Sequence, residues 1–243
     1  DELLHNALLD TLDAQQVPAD IAQRIRHVHG QRAQASQDFF ERMAGDFQSR
    51  QDLIAGLPQF RDSLLALLDS LTFVASATAI EVGPGDGSFL AELSSRFQQV
   101  RALDNSPQML ELARQTCVRH GLDNVLLELA DALDDDIEPA DCVVVNMVLH
   151  HFAVPADALC HLAQLVKPTG SLLITELCRH DQDWAKQACG DLWLGFDQDE
   201  LALWADAAGL IPSESLYLGL KNGFQIQLRH FAKPDSRSTL THR

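Results

Sequence analysis

The sequence predicts an α/β fold: a doubly wound, mostly parallel sheet of seven strands that closes with an antiparallel hairpin, behind N-terminal helices. Three observations predict it. From Thr78 onward, short apolar runs alternate with amphipathic helices, the signature of a parallel sheet. A glycine-rich turn, Gly83-Pro84-Gly85-Asp86-Gly87, directly follows the first of those runs. Near the end, Asn222-Gly223 separates two strand-like runs, a strong hairpin signal.

The elements follow in order. Before Thr78 the chain reads as helices: "DELLHNALLDTL", then "PADIAQRIRHVH" opening on a favourable first-turn proline, then "SQDFFERMAGDF" and "PQFRDSLLALLDSL". "TAIEV" is the first strand, followed by a helix over 88–97. "VRALD" is the second, followed by the helix "SPQMLELARQTCVRHG", which Gly121 stops. "NVLLELA" and the strongly apolar "DCVVVNMVL" are the third and fourth. The helix "PADALCHLAQLV" and the strand "GSLLITEL" come next. "HDQDWAKQACGDLWLGFDQDELALWADAAG" holds one or two helices, and "SESLYLGL" with "FQIQLRHF" makes the hairpin. This divides the chain into a helical extension, lid and connector over 1–70, a ligand-binding domain over 71–233 and a tail over 234–243.

The 243 residues, 46% hydrophobic, suffice for one sizeable core. A net charge of −17 opposes binding of this chain itself to nucleic acid or to an anionic membrane surface, and keeps it soluble. No apolar run reaches the ~18 residues of a membrane span. The five cysteines form no C-x-x-C pair, so reduced thiols in a cytoplasmic protein are expected.

In a doubly wound sheet the ligand sits beyond the carboxyl ends of the strands. Gly83 and Gly85 lie there, and glycine permits positive φ and close backbone approach. A nucleoside triphosphate turn would need a lysine, yet none occurs between Phe73 and Val166. A dinucleotide fingerprint fits in part: Asp104, 21 residues after Gly83, suits a ribose, but the sixth position is Ser88 rather than glycine. Glu81, directly before the glycines, would face a pyrophosphate unfavourably. It suits a cationic, phosphate-free ligand, and S-adenosylmethionine is one. Glu81, Asp104 and Asp131 end successive strands and line one edge of the sheet. Glu81 and the hairpin also speak against a nicotinamide-dependent oxidoreductase.

With these residues in place, the chain resembles the class I S-adenosylmethionine-dependent methyltransferases from about Phe39 to Lys233. "EVGPGDG" resembles their first motif. Asp104 in "ALDNSPQML" resembles the acid that holds the ribose hydroxyls, with Asn105 beside it. "ADAL" over 130–133 resembles the adenine-contacting segment, with Asp131 toward the exocyclic amine and Ala132 next to it. "LVKPTGSLLITE" resembles a segment that usually ends Pro-Gly-Gly; Thr169 replaces glycine, which bears on the local turn. The resemblance implies a Rossmann-like methyltransferase fold and S-adenosylmethionine as cofactor. A closer resemblance, carried by "SQDFFERMAGDF", "NMVLHHF", "HDQDWAKQACGDLWLGF" and "GLKNGFQIQLRHF", is to the methyltransferase domain fused behind ArsR-type winged-helix regulators. It implies a DNA-binding half upstream of Asp1, a role in transcription regulation, and Asp1–Gly30 as its tail or a connector.

Two functions follow: methyl transfer to a small-molecule acceptor, or sensing of S-adenosylmethionine or S-adenosylhomocysteine by a regulator. A second copy of the chain is a further candidate partner. Methyl transfer needs alignment and water exclusion, and a base only if the acceptor must lose a proton. His150 and His151, just past the fourth strand, are the candidate catalytic pair; one of them can equally pack in the turn. Asn146 either bonds the methionine part of the cofactor or ends the strand. Glu176 is read as a solvated strand end or an acceptor contact. Phe39, Phe40 and Met43 are read as a lid or as core, and Trp184, Trp193 and Phe196 as packing or as an acceptor pocket. No metal site is expected: His180, Asp181 and Asp183 read as a helix start, and Cys178 and Cys189 as buried thiols rather than metalloid ligands.

Overall fold

The computed structural model of the chain describes residues 17–43, 45, 47–133 and 136–235. The expected helix "DELLHNALLDTL" and residues 236–243 of the expected tail lie outside them, as do the side chains of Met43, Ala44 and Phe47. Seven strands form one sheet in the order β3-β2-β1-β4-β5-β7-β6. They are β1 (Thr78–Val82), β2 (Gln99–Asp104), β3 (Val125–Leu129), β4 (Ala140–Asn146), β5 (Val166–Leu177), β6 (Ile211–Gly219) and β7 (Gln225–Ala232). The first five pair in parallel, and β7 runs antiparallel to both β5 and β6. This is the Rossmann-like methyltransferase fold, as expected, with the hairpin at the Asn222-Gly223 turn.

Strand side chains alternate between faces, and the two sides of the sheet are both apolar. Ala79, Cys142 and Val144 face α3 (Arg61–Ser70), α4 (Leu90–Ser94) and α5 (Pro107–His120), packing on Leu64, Leu93 and Ala113. Ile80, Val143 and Val145 face α6 (Pro155–Gln164) and α8 (Gln198–Ala207), packing on Leu159, Leu162 and Leu201. The same alternation turns Glu81 toward the first face, among apolar neighbours. The short helix α7 (Trp184–Cys189) joins the core of the first face through Ala185.

Three boundaries differ from the sequence reading. The two helices expected around Gly30 are one, α1 (Ala19–Met43), because no proline interrupts it and a single glycine is tolerated in an otherwise helical run. It is followed by α2 (Phe47–Ile54). Helix α4 is shorter than 88–97, since Asp86 Oδ1 accepts the Ser88 N–H at 3.0 Å and holds 87–89 as a turn. Strand β5 begins at Val166 rather than Gly170, with Val166 paired to Ala140 and the Lys167 ammonium 2.9 Å from Asp141.

Candidate active site

Strands β1 and β4 are neighbours, but the chain leaves β1 toward β2 and β4 toward β5. Their carboxyl ends therefore border the crevice where the strand order reverses, the expected ligand position in such sheets. Gly83 and Gly85, immediately past β1, take φ of 65° and 59°. Gly83 donates its N–H to Leu103 O at 2.8 Å, binding the turn to the end of β2. A Cβ on Gly83 would lie 2.6 Å from Val148 Cγ2, so the turn and the segment after β4 pack backbone against side chain. A cavity of about 550 Å³ opens here, with Gly83, Gly85 and Asn146 in its wall.

Glu81 is 2% exposed. Its Oε1 accepts from Asn146 Nδ2 at 3.3 Å, and Asn146 Oδ1 accepts from the Thr175 hydroxyl at 2.8 Å. Its Oε2 is buried with no hydrogen-bond partner among the described residues. Burial pushes the carboxyl up to about 8, opposed by the Asn146 hydrogen bond and reinforced by the charge of Asp86. A side cavity of about 40 Å³ touches Glu81, Gly83, Gly85 and Asn146. A buried carboxylate oxygen without a donor is costly unless a ligand supplies one.

The other two strand-end acids line the main cavity. Asp104 Oδ1 accepts the Ser106 N–H at 2.9 Å, and Ser106 caps α5 through Met109 N at 3.3 Å. Burial raises Asp104 to about 6, with the Ser106 N–H working the other way. Asn105 is tied to α1, its carbonyl accepting from Gln37 Nε2 at 3.4 Å. Past β3, Asp131 Oδ1 accepts the Leu133 N–H at 2.9 Å, which folds Ala132 and Leu133 into the wall.

At the far end stand His150 and His151, in the 3-10 turn Leu149–His151. Glu176, read in sequence as a solvated strand end, is wholly buried beneath them. It accepts from His150 Nδ1 at 2.7 Å, from the His150 N–H at 3.1 Å and from the Leu177 N–H at 2.6 Å. The other ring nitrogen of His150 lies 3.6 Å from Asp191 Oδ1. Burial alone would lower His150, but Glu176 and Asp191 overcome it and raise the ring to about 9. His151 differs: burial and the charge of His150 hold it well below the usual histidine range, while its Nδ1 donates to Gly190 O at 3.2 Å.

The ten residues expected to bind cofactor or act in catalysis, Glu81 to His151, therefore meet around one cavity and its small annexe. Asp191 was missed. It is 3% exposed and lines the cavity, and burial raises it to about 6 against the pull of His150. It follows a Gly190 helix stop in "HDQDWAKQACGDLWLGF", whose resemblance assigns it no role. Helix α1 roofs the site with Phe39 and Phe40; the Phe40 ring meets His151 edge-on, centroids 4.7 Å apart. Trp184, Trp193 and Phe196 lie outside the cavity wall: Phe196 is buried between sheet and α8, and Trp193 donates to Phe152 O.

Residues 80–174 match the family profile "Methyltransferase domain". The chain is similar to the malonyl-(acyl-carrier protein) O-methyltransferase of Salmonella typhimurium, 30% identical over 155 residues that cover 64% of this chain and 56% of that one. Its fold is similar to that of the N-methyltransferase NodS of Bradyrhizobium japonicum, solved with S-adenosylhomocysteine, at 20% identity and TM-score 0.64, covering 82% of this chain and 99% of that one. The cyclase SpnF is similar at 14% identity and TM-score 0.68, covering 82% and 95%. The chain spans about half the length of the first curated relatives it matches, from 43% to 56%. In fold, and over residues 80–174 in sequence, the chain is thus similar to methyltransferase domains. Among the described residues no helix is long and apolar enough to cross a membrane.

Proposed function

We propose that this protein transfers a methyl group from S-adenosylmethionine to a small-molecule acceptor. The observation that carries the reading is Glu81 Oε2, a buried carboxylate oxygen without a donor, beside the Gly83–Gly85 turn. The methionine ammonium of the cofactor is a cationic N–H donor of the kind that oxygen lacks. Asp104 and Asp131, on the same cavity, suit the ribose hydroxyls and the adenine amine, with Asn105 and Ala132 beside them and Asn146 orienting Glu81. When bound, the cofactor supplies a methyl group already activated by its sulfonium. The chain's own residues hold it, exclude water under Phe39 and Phe40, and orient the acceptor at the end formed by His150, His151 and Asp191.

A cavity of about 550 Å³ is in the range of small-molecule sites, and a relative named demethylmenaquinone methyltransferase supports an acceptor of that kind. Calorimetry with S-adenosylmethionine and S-adenosylhomocysteine tests the cofactor assignment: both bind the native chain, and Asp104→Ala weakens both at least tenfold. Unchanged affinity in that variant overturns the ribose assignment, and no binding by the native chain overturns the function.

A second reading rests on the sequence resemblance to ArsR-linked domains. In it the chain senses the cofactor or its demethylated product for a regulator, in the cytoplasm, with the DNA-binding half on an upstream winged helix and a homodimer as the working unit. Both readings share cofactor binding. Labelled methyl transfer to an acceptor panel separates them, because a sensor binds without turnover.

A further inference from the structure

We propose that His150, His151 and Asp191 form a divalent transition-metal site, of the zinc class, at the acceptor end of the cavity. One donor atom from each of the three lies within 4.8 Å of the others, and all three residues line the cavity. His150 Nε2 and Asp191 Oδ1 are 3.6 Å apart. Ligands about 2.0–2.1 Å from a tetrahedral ion sit roughly 3.3 Å from each other, so small side-chain shifts close the set.

Three features distinguish this cluster from an ordinary polar contact. First, neither Asp191 oxygen has a hydrogen-bond partner among the described residues, although both are buried. At 3.6 Å His150 comes close to Asp191 without bonding it. Second, each histidine has its Nδ1 against an oxygen acceptor, Glu176 for His150 and the Gly190 carbonyl for His151. That leaves both Nε2 atoms as the coordinating nitrogens and orients both rings, the arrangement that outer acceptors impose on metal-bound histidine. Third, the charges close. With both imidazoles neutral, as metal binding requires, the buried carboxylates Glu176 and Asp191 leave a charge of −2, which one divalent ion neutralises in place of a proton on His150.

The loop is also held for the purpose. His150 O accepts the N–H groups of Leu192 at 3.1 Å and Trp193 at 3.2 Å, so the same histidine fixes the backbone beside Asp191. Three protein ligands leave a position open to the cavity, as in reactive rather than purely structural sites. An oxygen or nitrogen of the acceptor would occupy it. That use of the ion rests on the methyl-transfer reading; the ion's binding does not.

Metal-stripped protein titrated with Co(II) tests the inference. One equivalent binds with visible d–d absorption and is displaced by Zn(II). Asp191→Asn lowers Co(II) affinity at least tenfold, Asp191→His restores it, and Glu176→Gln lowers it about 10- to 100-fold. Affinity for S-adenosylhomocysteine, measured on each variant, stays within about twofold and reports an intact fold. X-ray absorption of the Zn(II)-loaded native chain independently counts two imidazole ligands. Absence of stoichiometric binding, unchanged affinity in Asp191→Asn, or a shell without two imidazoles overturns the site. Cofactor binding without metal binding overturns this inference alone; metal binding without cofactor binding overturns the methyl-transfer reading alone.

Discussion

Asn146 joins Glu81 to Thr175 across three strands. The Thr175 hydroxyl donates to Asn146 Oδ1 at 2.8 Å, which turns the Asn146 amide N–H toward Glu81 Oε1 at 3.3 Å. One oxygen of Glu81 is thus held by the sheet, and the other is left for a ligand.

Glu81→Gln is expected to separate binding from stability. A charge-assisted hydrogen bond is worth about 1.5–3 kcal/mol, so cofactor affinity should fall roughly 10- to 100-fold by calorimetry. The ligand-free fold should not weaken, because the amide removes a buried carboxylate. A thermal midpoint that drops as sharply as the affinity would make Glu81 structural rather than ligand-binding.

The same carboxyl sets a pH dependence. Its folded value, about 8, lies above the ordinary 4.5, so the folded ligand-free chain binds the proton more tightly than the unfolded chain. Its ionisation therefore takes stability away as pH rises from about 4.5, and the loss is complete above about 8. Binding of a cation needs the carboxylate, so cofactor affinity should rise toward pH 8 with release of a proton. Calorimetry at pH 7 in buffers of different ionisation enthalpy measures that proton, and its absence in the native chain would refute the pairing.

Gly83→Ala should damage both fold and site. The new Cβ meets Val148 Cγ2 at 2.6 Å, and the φ of 65° disfavours any side chain. A loss of about 1–3 kcal/mol is expected, with cofactor binding falling in parallel. Adding Val148→Ala relieves the contact but not the backbone strain, so denaturant titration of the double variant should recover only part of the loss.

Thr169→Gly should stabilise. Thr169 holds φ at 64°, a conformation in which a β-branched residue is a genuine outlier. Relief of about 1–2 kcal/mol, offset by the greater freedom of glycine in the unfolded chain, leaves about 0.5–1 kcal/mol. The melting temperature should rise by about 1–3 °C, with cofactor affinity unchanged.

Much of the scaffold was legible because it is local. The continuous apolar run "DCVVVN" marks β4 as a strand covered on both faces, and Asn222-Gly223 marks the hairpin. The glycines at 83 and 85 mark a turn with positive φ, and the three strand-end acids converge because parallel strands present their carboxyl ends at one edge. Boundaries shifted where a side chain intervened: Asp86 shortened α4, and pairing of Val166 with Ala140 lengthened β5.

Charge and burial were not local. Glu176 read as a solvated strand end because its strand neighbours say nothing of the turn that folds over it, and His150 closes that turn from 26 residues away. Asp191 carries no motif, and only the return of its loop to His150 O brings it to the cavity. The sequence by itself determined the sheet, the glycine turn and the row of acids, because backbone periodicity and turn chemistry act over a few residues. Which carboxylates lie buried, and which histidines they hold, only the tertiary structure decided, because desolvation and charge pairing depend on neighbours that distant segments supply.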